Sequence, residues 1–363
     1  MKITKVKSPP KSHLTFEGAT YPVDKEFEPE DIVEIFSTPL TGSYNWDYTV
    51  TDNRIKKLYE LGKEKNWNAE TDINWDVPNP DQDPTTFMFF NEQWKHHRDY
   101  SRLTGHDKQR FVSDLQHWTL SQLLHGEQGA LMVASQLASC APTFNAKLYA
   151  SSQTFDEARH VEVFNKYIQT RVGKMFPIGS SLKALLDKIL TDERWDLKFI
   201  GMQILIEGLA LAIFNTIRST TKDPVLKNIL TLVIRDEARH VTFGVNYLES
   251  YTKTLTAEEL AEREDFCLEA CNVLRNRFKQ YEVWSKWGFD IEYTEEHLKT
   301  NQLNNQFQEL LFTRIMPNLE KVGLLPERLK GEYDKLGVNQ FIHGQSDYEM
   351  SWEELNAPLE IVA

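Results

Sequence analysis

Two glutamate–histidine pairs, Glu157 with His160 and Glu237 with His240, share the spacing Glu-x-x-His. Both lie in the same pentapeptide, Asp-Glu-Ala-Arg-His, at 156–160 and again at 236–240. Each copy continues into valine, Val161 and Val241, and each is preceded at the same distance of 30 residues by a further glutamate, Glu127 and Glu207. Residues three apart on a helix lie on one face, so each half can present two carboxylates and an imidazole together. Joined face to face, the halves supply four carboxylates and two imidazoles. A glutamate from each of two helices plus Glu-x-x-His from each of the other two is the donor set of a dinuclear iron or manganese centre. The charges agree: two divalent ions offset four carboxylates, which without them would be costly to bury. The plainer reading is that these are solvated glutamates on helix surfaces. Against it, Glu127 sits in LLHGEQGALMVA and Glu207 in ILIEGLALAIF, apolar runs with almost no other charge, and glutamate is rarely buried unpaired.

The spacing also predicts what holds these residues. The midpoint between Glu127 and Glu157 falls at Pro142, and that between Glu207 and Glu237 falls at Lys222, just before Asp223 and Pro224, a helix-start signal. Each half is therefore an antiparallel helix hairpin whose second glutamate returns level with the first. Helical periodicity marks a first helix at 53–67 and further helices at about 85–103, 107–139, 144–172, 181–190, 195–219, 225–254, 256–281, 304–321 and 326–336. Few runs have the alternation of strands, so the fold class is all-α. Residues 1–84 read as an N-terminal arm and short helix packing on the bundle, 85–281 as the bundle with its dimetal site, and 282–363 as an aromatic loop, C-terminal helices and an acidic tail. The whole reads as one compact domain.

Composition excludes several classes of function. The 363 residues carry 41 Lys and Arg against 54 Asp and Glu, a formal charge of −13. That surplus argues against a nucleic-acid backbone or an anionic membrane surface as partner. Cys140, Cys267 and Cys271 form no disulfide framework, and Cys267 and Cys271, four apart, read as small packed residues. The N-terminus has no signal-peptide pattern, and no window offers about 20 continuous apolar residues, so a cytoplasmic location is expected.

At the repeated motif the chain resembles the ferritin-like di-iron carboxylate superfamily, which includes monooxygenase hydroxylases, ribonucleotide reductase small subunits, acyl carrier protein desaturases, arylamine N-oxygenases, rubrerythrins and ferritins. The resemblance implies a ferritin-like four-helix bundle with a long crossover and additional flanking helices. It implies Glu127, Glu157, His160, Glu207, Glu237 and His240 as metal ligands, one or two of the glutamates bridging. It also implies that Asp156 orients His240 and Asp236 orients His160, with Arg159 and Arg239 neutralising the two aspartates; a surface salt bridge is the alternative for the arginines. Some positions depart from subfamily patterns. Phe164 stands where a reductase subunit has its radical tyrosine, and Leu211 where a monooxygenase has a threonine. Val233 stands where arylamine N-oxygenases have a further histidine, which points away from that subfamily.

The expected activity is that of an O2-activating non-haem di-iron oxidase or oxygenase. Its cofactor is two Fe ions, or Mn/Fe, with O2 as co-substrate. Its substrate is a small, apolar organic molecule oxidised at a C–H or N–H bond. Positions near the ligands suggest a pocket of Leu131, Ala134, Ala210, Leu211 and Phe214, with Leu123, Leu124 and Ile204 close by. No Gly-x-Gly occurs and the cysteines are scattered, so an external reductase or ferredoxin is expected to deliver electrons; a homodimer is a further expectation. Tyr167 and Tyr247, each seven residues past a motif histidine, read as packing residues. His96, His97, His106, His117 and His125 read as surface or capping residues. The competing function is metal handling: iron oxidation or peroxide scavenging by a ferritin-like protein.

Overall fold

Several helices begin where the sequence supplies capping side chains. In the computed structural model, residues 42, 46–49, 52–78 and 93–346 are described, without the side chain of Leu303. Most of the expected arm, the start of the expected helix at 85–103 and the acidic tail lie outside the described residues. Helix α1 (Asn53–Glu64) starts on Asp52, and the short α2 (Arg98–Arg102) on His97. The first long core helix, α3 (Gly105–Cys140), starts on Thr104, whose hydroxyl accepts from the Asp107 amide. The chain turns at residues 141–143, and α4 (Phe144–Tyr167) starts on Thr143, capping Ala146 N. After α5 (Ser180–Thr191) come α6 (Trp195–Thr220) and α7 (Pro224–Tyr251); the latter starts on Asp223 with Pro224 in its first turn. Both hairpins thus turn where the glutamate spacing places them, and no strand occurs among the described residues.

The two hairpins, α3–α4 and α6–α7, are tied by matching hydrogen bonds. The Tyr167 hydroxyl donates to Asp223 Oδ2 at 2.8 Å, and the Tyr247 hydroxyl lies 3.0 Å from Thr143 Oγ1. Each tyrosine follows a motif histidine by seven residues and reaches the cap of the other hairpin's returning helix. Both therefore act as packing residues with a bonded hydroxyl.

Helix α6 departs from a regular α-helix. Residues Ile200–Ile206 take π geometry, immediately before Glu207. A π turn accommodates one extra residue and occurs often at functional sites. Here it adjoins a very close crossing: a Cβ added at Gly244 of α7 would sit 2.5 Å from Gln203 Cβ. An 18-residue window of α6 reaches a mean hydropathy of 1.8, long and apolar enough to cross a membrane, but 94% of it is buried in the bundle. The expectation that no such window exists is corrected. The run is apolar because α6 is surrounded by protein on all sides.

Beyond the bundle, α8 (Ala257–Asn276) is followed by α9 (Tyr281–Lys286), α10 (Ile291–Thr300), α11 (Gln302–Leu310), α12 (Ile315–Lys321) and α13 (Lys330–Leu336). The aromatic loop expected after 281 is instead two helices, α9 and α10. Gly288 at φ 67 ends the first stretch, and Asp290 caps the second by accepting from Tyr293 N. Their rings join Trp94, Phe111 and Trp118 in a separate apolar cluster at the starting end of α3. His97 lies wholly inside that cluster, stacked on Phe289 at 5.0 Å and 3.1 Å from Thr294 Oγ1. It caps α2 as expected but is not a surface residue.

Candidate metal centre

The hairpins bring all six motif residues to one level, each at most 5% exposed. Their donor atoms form two overlapping groups. Glu127, Glu157, His160 and Glu237 offer atoms within 4.8 Å of one another, as do Glu157, Glu207, Glu237 and His240. Glu157 and Glu237 belong to both. Within the first group His160 Nδ1 lies 3.1 Å from Glu127 Oε2, 3.2 Å from Glu157 Oε2 and 3.0 Å from Glu237 Oε1. Within the second, His240 Nδ1 lies 3.0 Å from Glu157 Oε1.

Electrostatics show what the cluster requires. Burial, and then the charge of Glu237, push the Glu127 carboxyl up to about 8 and the Glu207 carboxyl well above its usual range. Burial opposes ionisation of Glu157 too, but the charge of His240 pulls its carboxyl below the usual range. Both imidazoles are held protonated against the effect of burial: His160 by hydrogen bonds led by Asp236 and Glu127, His240 by the charge of Glu157 and the bond to Asp156. Glu207 Oε2 and Glu237 Oε2 are buried with no hydrogen-bond donor. Oxygen and imidazole donors in two sets of four, with lone pairs to spare, fit two divalent ions of the Fe or Mn kind.

The surrounding residues close a second layer. His240 Nε2 lies 3.1 Å from Asp156 Oδ2 and His160 Nε2 3.3 Å from Asp236 Oδ2, so each aspartate meets the histidine of the other hairpin. Arg239 Nη2 donates to Asp236 Oδ1 at 2.8 Å and Asp156 Oδ2 at 3.1 Å, and Arg159 bonds Asp156 and lies 3.3 Å from Asp236 Oδ2. Both arginines are buried, so the surface-salt-bridge alternative does not apply. Arg235 Nε also lies 3.9 Å from Asp236 Oδ1, so arginines neutralise both aspartates, which leaves the inner glutamates for the metals.

Some contributors carry no sequence signal, or a faint one. Gln153 Nε2 donates to Glu207 Oε1 at 2.8 Å and to Glu157 Oε1 at 3.3 Å, while Gln203 donates to Gln153 Oε1 at 3.3 Å. Gln153 lies one turn before Glu157, so the ligand-face spacing could have found it. Trp67, just past α1, donates from Nε1 to Asp236 Oδ2 at 2.7 Å, a contact that no spacing announces.

A small cavity meets the cluster. It is lined by Leu123, Gly126, Ala130, Ile206, Ala210 and Phe214, with Glu127, Glu207, Glu237 and Arg277. Its room for a water centre is about 10 Å³, enough for a single water. Ala210 and Phe214 line it as expected, but Leu131, Ala134 and Leu211 do not. Leu131 and Leu211, four past their glutamates, turn away from a cavity that follows the −4, −1 and +3 stripe on α3. Ala134 shares that stripe but lies two turns beyond Glu127. Leu124 and Ile204 are core residues outside the lining.

The family model described as p-aminobenzoate N-oxygenase AurF matches residues 49–323, a span that includes every motif residue. The chain belongs to the p-aminobenzoate N-oxygenase family. It is therefore a non-haem di-iron oxidoreductase of the oxygenase or oxidase type. Membership corrects the expectation drawn from Val233: this member has a fully buried valine at that position and still belongs to the family. Among solved structures, the dimanganese(II)-NrdF of Streptococcus sanguinis superimposes with a TM-score of 0.50 at 16% identity, covering 79% of this chain and 93% of that one. An R2-like ligand-binding oxidase variant with an Mn/Fe cofactor gives 0.49 at 19% identity, with 76% and 94% covered. These likenesses concern the fold. No curated protein matches by sequence.

Proposed function

We propose that the chain uses O2 and a dimetal centre, Fe/Fe or Mn/Fe, to oxidise the amine nitrogen of a small, largely apolar molecule. The observation that carries this reading is the pair of overlapping donor groups that share Glu157 and Glu237 and open on an apolar cavity. In this reading Glu127, His160, Glu157 and Glu237 would hold one ion, and Glu207, His240, Glu157 and Glu237 the other. Such a centre supplies two-metal redox activation of O2.

The protein's own residues do the rest. Asp156 and Asp236 accept from the Nε2–H groups of the two histidines, fixing the tautomer that leaves Nδ1 for metal. Gln153 steers Glu207 and keeps Glu207 Oε2 free of protein donors. The walls of Leu123, Ala130, Ile206, Ala210 and Phe214 keep water from the reacting centre. A cavity for one water must widen to take substrate.

Hydroxylation of an amine by O2 forms one N–O bond and one water, and consumes two electrons and two protons. The chain contains no dinucleotide fingerprint and no cysteine cluster, so an external reductase or ferredoxin is the proposed donor. The test is to add O2 to the Fe(II)-loaded protein with chemical reductant and an arylamine such as 4-aminobenzoate. The expected result is an N-oxygenated product carrying label from 18O2. Oxygen consumption that runs equally without amine, yielding only Fe(III), would instead favour iron handling.

A further inference from the structure

The two halves of the repeat correspond at an offset of 80 residues, which pairs Glu127 with Glu207, Glu157 with Glu237 and Tyr167 with Tyr247. One turn before the glutamates the correspondence breaks. Gln203 stands where the first half has Leu123, and Gln153 where the second half has Val233. All four side chains are buried.

The break favours one donor group. Gln153 Nε2 donates to Glu207 Oε1 at 2.8 Å and to Glu157 Oε1 at 3.3 Å. Glu157 Oε1 is the oxygen 3.0 Å from His240 Nδ1, whereas its Oε2 faces His160. Both bonds therefore fall on the group of Glu207 and His240. With its NH2 on the carboxylates, Gln153 turns Oε1 to Gln203, which must present its own NH2 at 3.3 Å. Gln203 has little room to withdraw, because α7 crosses it closely at Gly244. Its Oε1 stays buried without a donor, so the pair is kept although one acceptor goes unpaired. A hydrogen bond to a carboxylate favours its ionised form. On Glu207 it occupies Oε1 and leaves Oε2, which has no protein donor, for an ion.

The group of Glu127 and His160 meets the opposite influence. Leu123 and Val233, at the matching positions, offer no side-chain N–H. The buried Arg277 lies against Gly126, where a Cβ would sit 3.0 Å from its Nη2, and it interacts through space with Glu127. A fixed positive charge beside a donor group opposes the binding of a divalent cation.

We propose that Gln153, locked by Gln203, is a positioning residue that makes the two metal sites unequal. The site of Glu207 and His240 fills first and holds its ion more tightly, and the site of Glu127 and His160, beside Arg277, fills second. This rests on the pair of metal sites in the proposed reading and not on its substrate. Ordered sites let one chain take up two different ions in sequence, an order that two equivalent sites cannot give.

Titration of the metal-free, full-length protein with Mn(II), with the free ion read by its EPR signal, tests this. The wild type is expected to bind two ions with Kd values at least about ten-fold apart. E127A should keep the tighter constant and E207A only the weaker one. Q153L in the E127A background should weaken binding by roughly 10- to 100-fold, while Q153L in the E207A background should change it by less than about three-fold. Equal constants in the wild type, tighter binding in E207A than in E127A, or an equal loss from Q153L in both backgrounds overturns the proposal. An equal loss is what a merely structural glutamine produces. The E127A and E207A comparison stands even if Q153L fails to fold. A folded wild type that binds fewer than two ions refutes the pair of sites itself, a result distinct from two ions bound without order.

Discussion

Glu157 and Glu237 differ from the other two glutamates in belonging to both donor groups, and this difference is measurable. E127A or E207A removes a donor from one group, so about one tightly held metal per chain should remain. E157A removes a donor from both, and nearly all metal should be lost. Metal analysis after gel filtration checks this order. At the second layer, D156A and D236A leave a histidine without its acceptor, and each should weaken metal affinity by roughly 10- to 100-fold, read by competition with a chelator. The inner six residues were legible because each half repeats them at identical spacing. Trp67, Gln153 and Arg277 were less so or not at all, because they reach the site from just past α1, from one turn along α4 and from just past the end of α8, and only folding brings these together.

At the scale of elements, the tightest constraint is the crossing of α7 over the π segment of α6. A methyl group at Gly244 meets the Cβ of Gln203, an atom close to the backbone that cannot move aside. G244A should therefore destabilise the protein by about 1–3 kcal/mol, measured by denaturant unfolding, and should disturb Gln203, Gln153 and through them Glu207. The tyrosine ties are milder: Y167F and Y247F should each cost about 1 kcal/mol and leave metal content intact. The start of α7 was readable from Asp223–Pro224, since a cap is a local device. The π turn was not, because it is imposed by neighbouring helices. The two helices after 281 were missed because their aromatic content obscured the Gly288 and Asp290 signals.

Across the molecule, two apolar clusters coexist: the large one around the metal centre, and the aromatic one formed by α2, the first turns of α3, α9 and α10. The second contains a pH-sensitive group. Burial, reinforced by the charge of His297, pushes His97 down to about 4 from 6.5, against Asp99 and Asp290; Arg98 acts with burial. His117 on α3 is likewise lowered to about 4 by burial. A histidine with a depressed folded pKa takes up its proton more readily when unfolded. Its neutral, buried state is thus fully tolerated above 6.5, and stability falls as pH drops from 6.5 towards 4. Denaturant midpoints should decline over that window, and H97N, which can still cap α2, should flatten the decline.

The central claim is that the two halves of one repeat enclose two metal ions that share Glu157 and Glu237. Counting the ions bound per folded chain after Fe(II) loading and removal of excess tests it most directly. About two per wild-type chain are expected, both lost together in E157A. A wild-type count near zero or one, or an E157A count equal to that of the wild type, would contradict it.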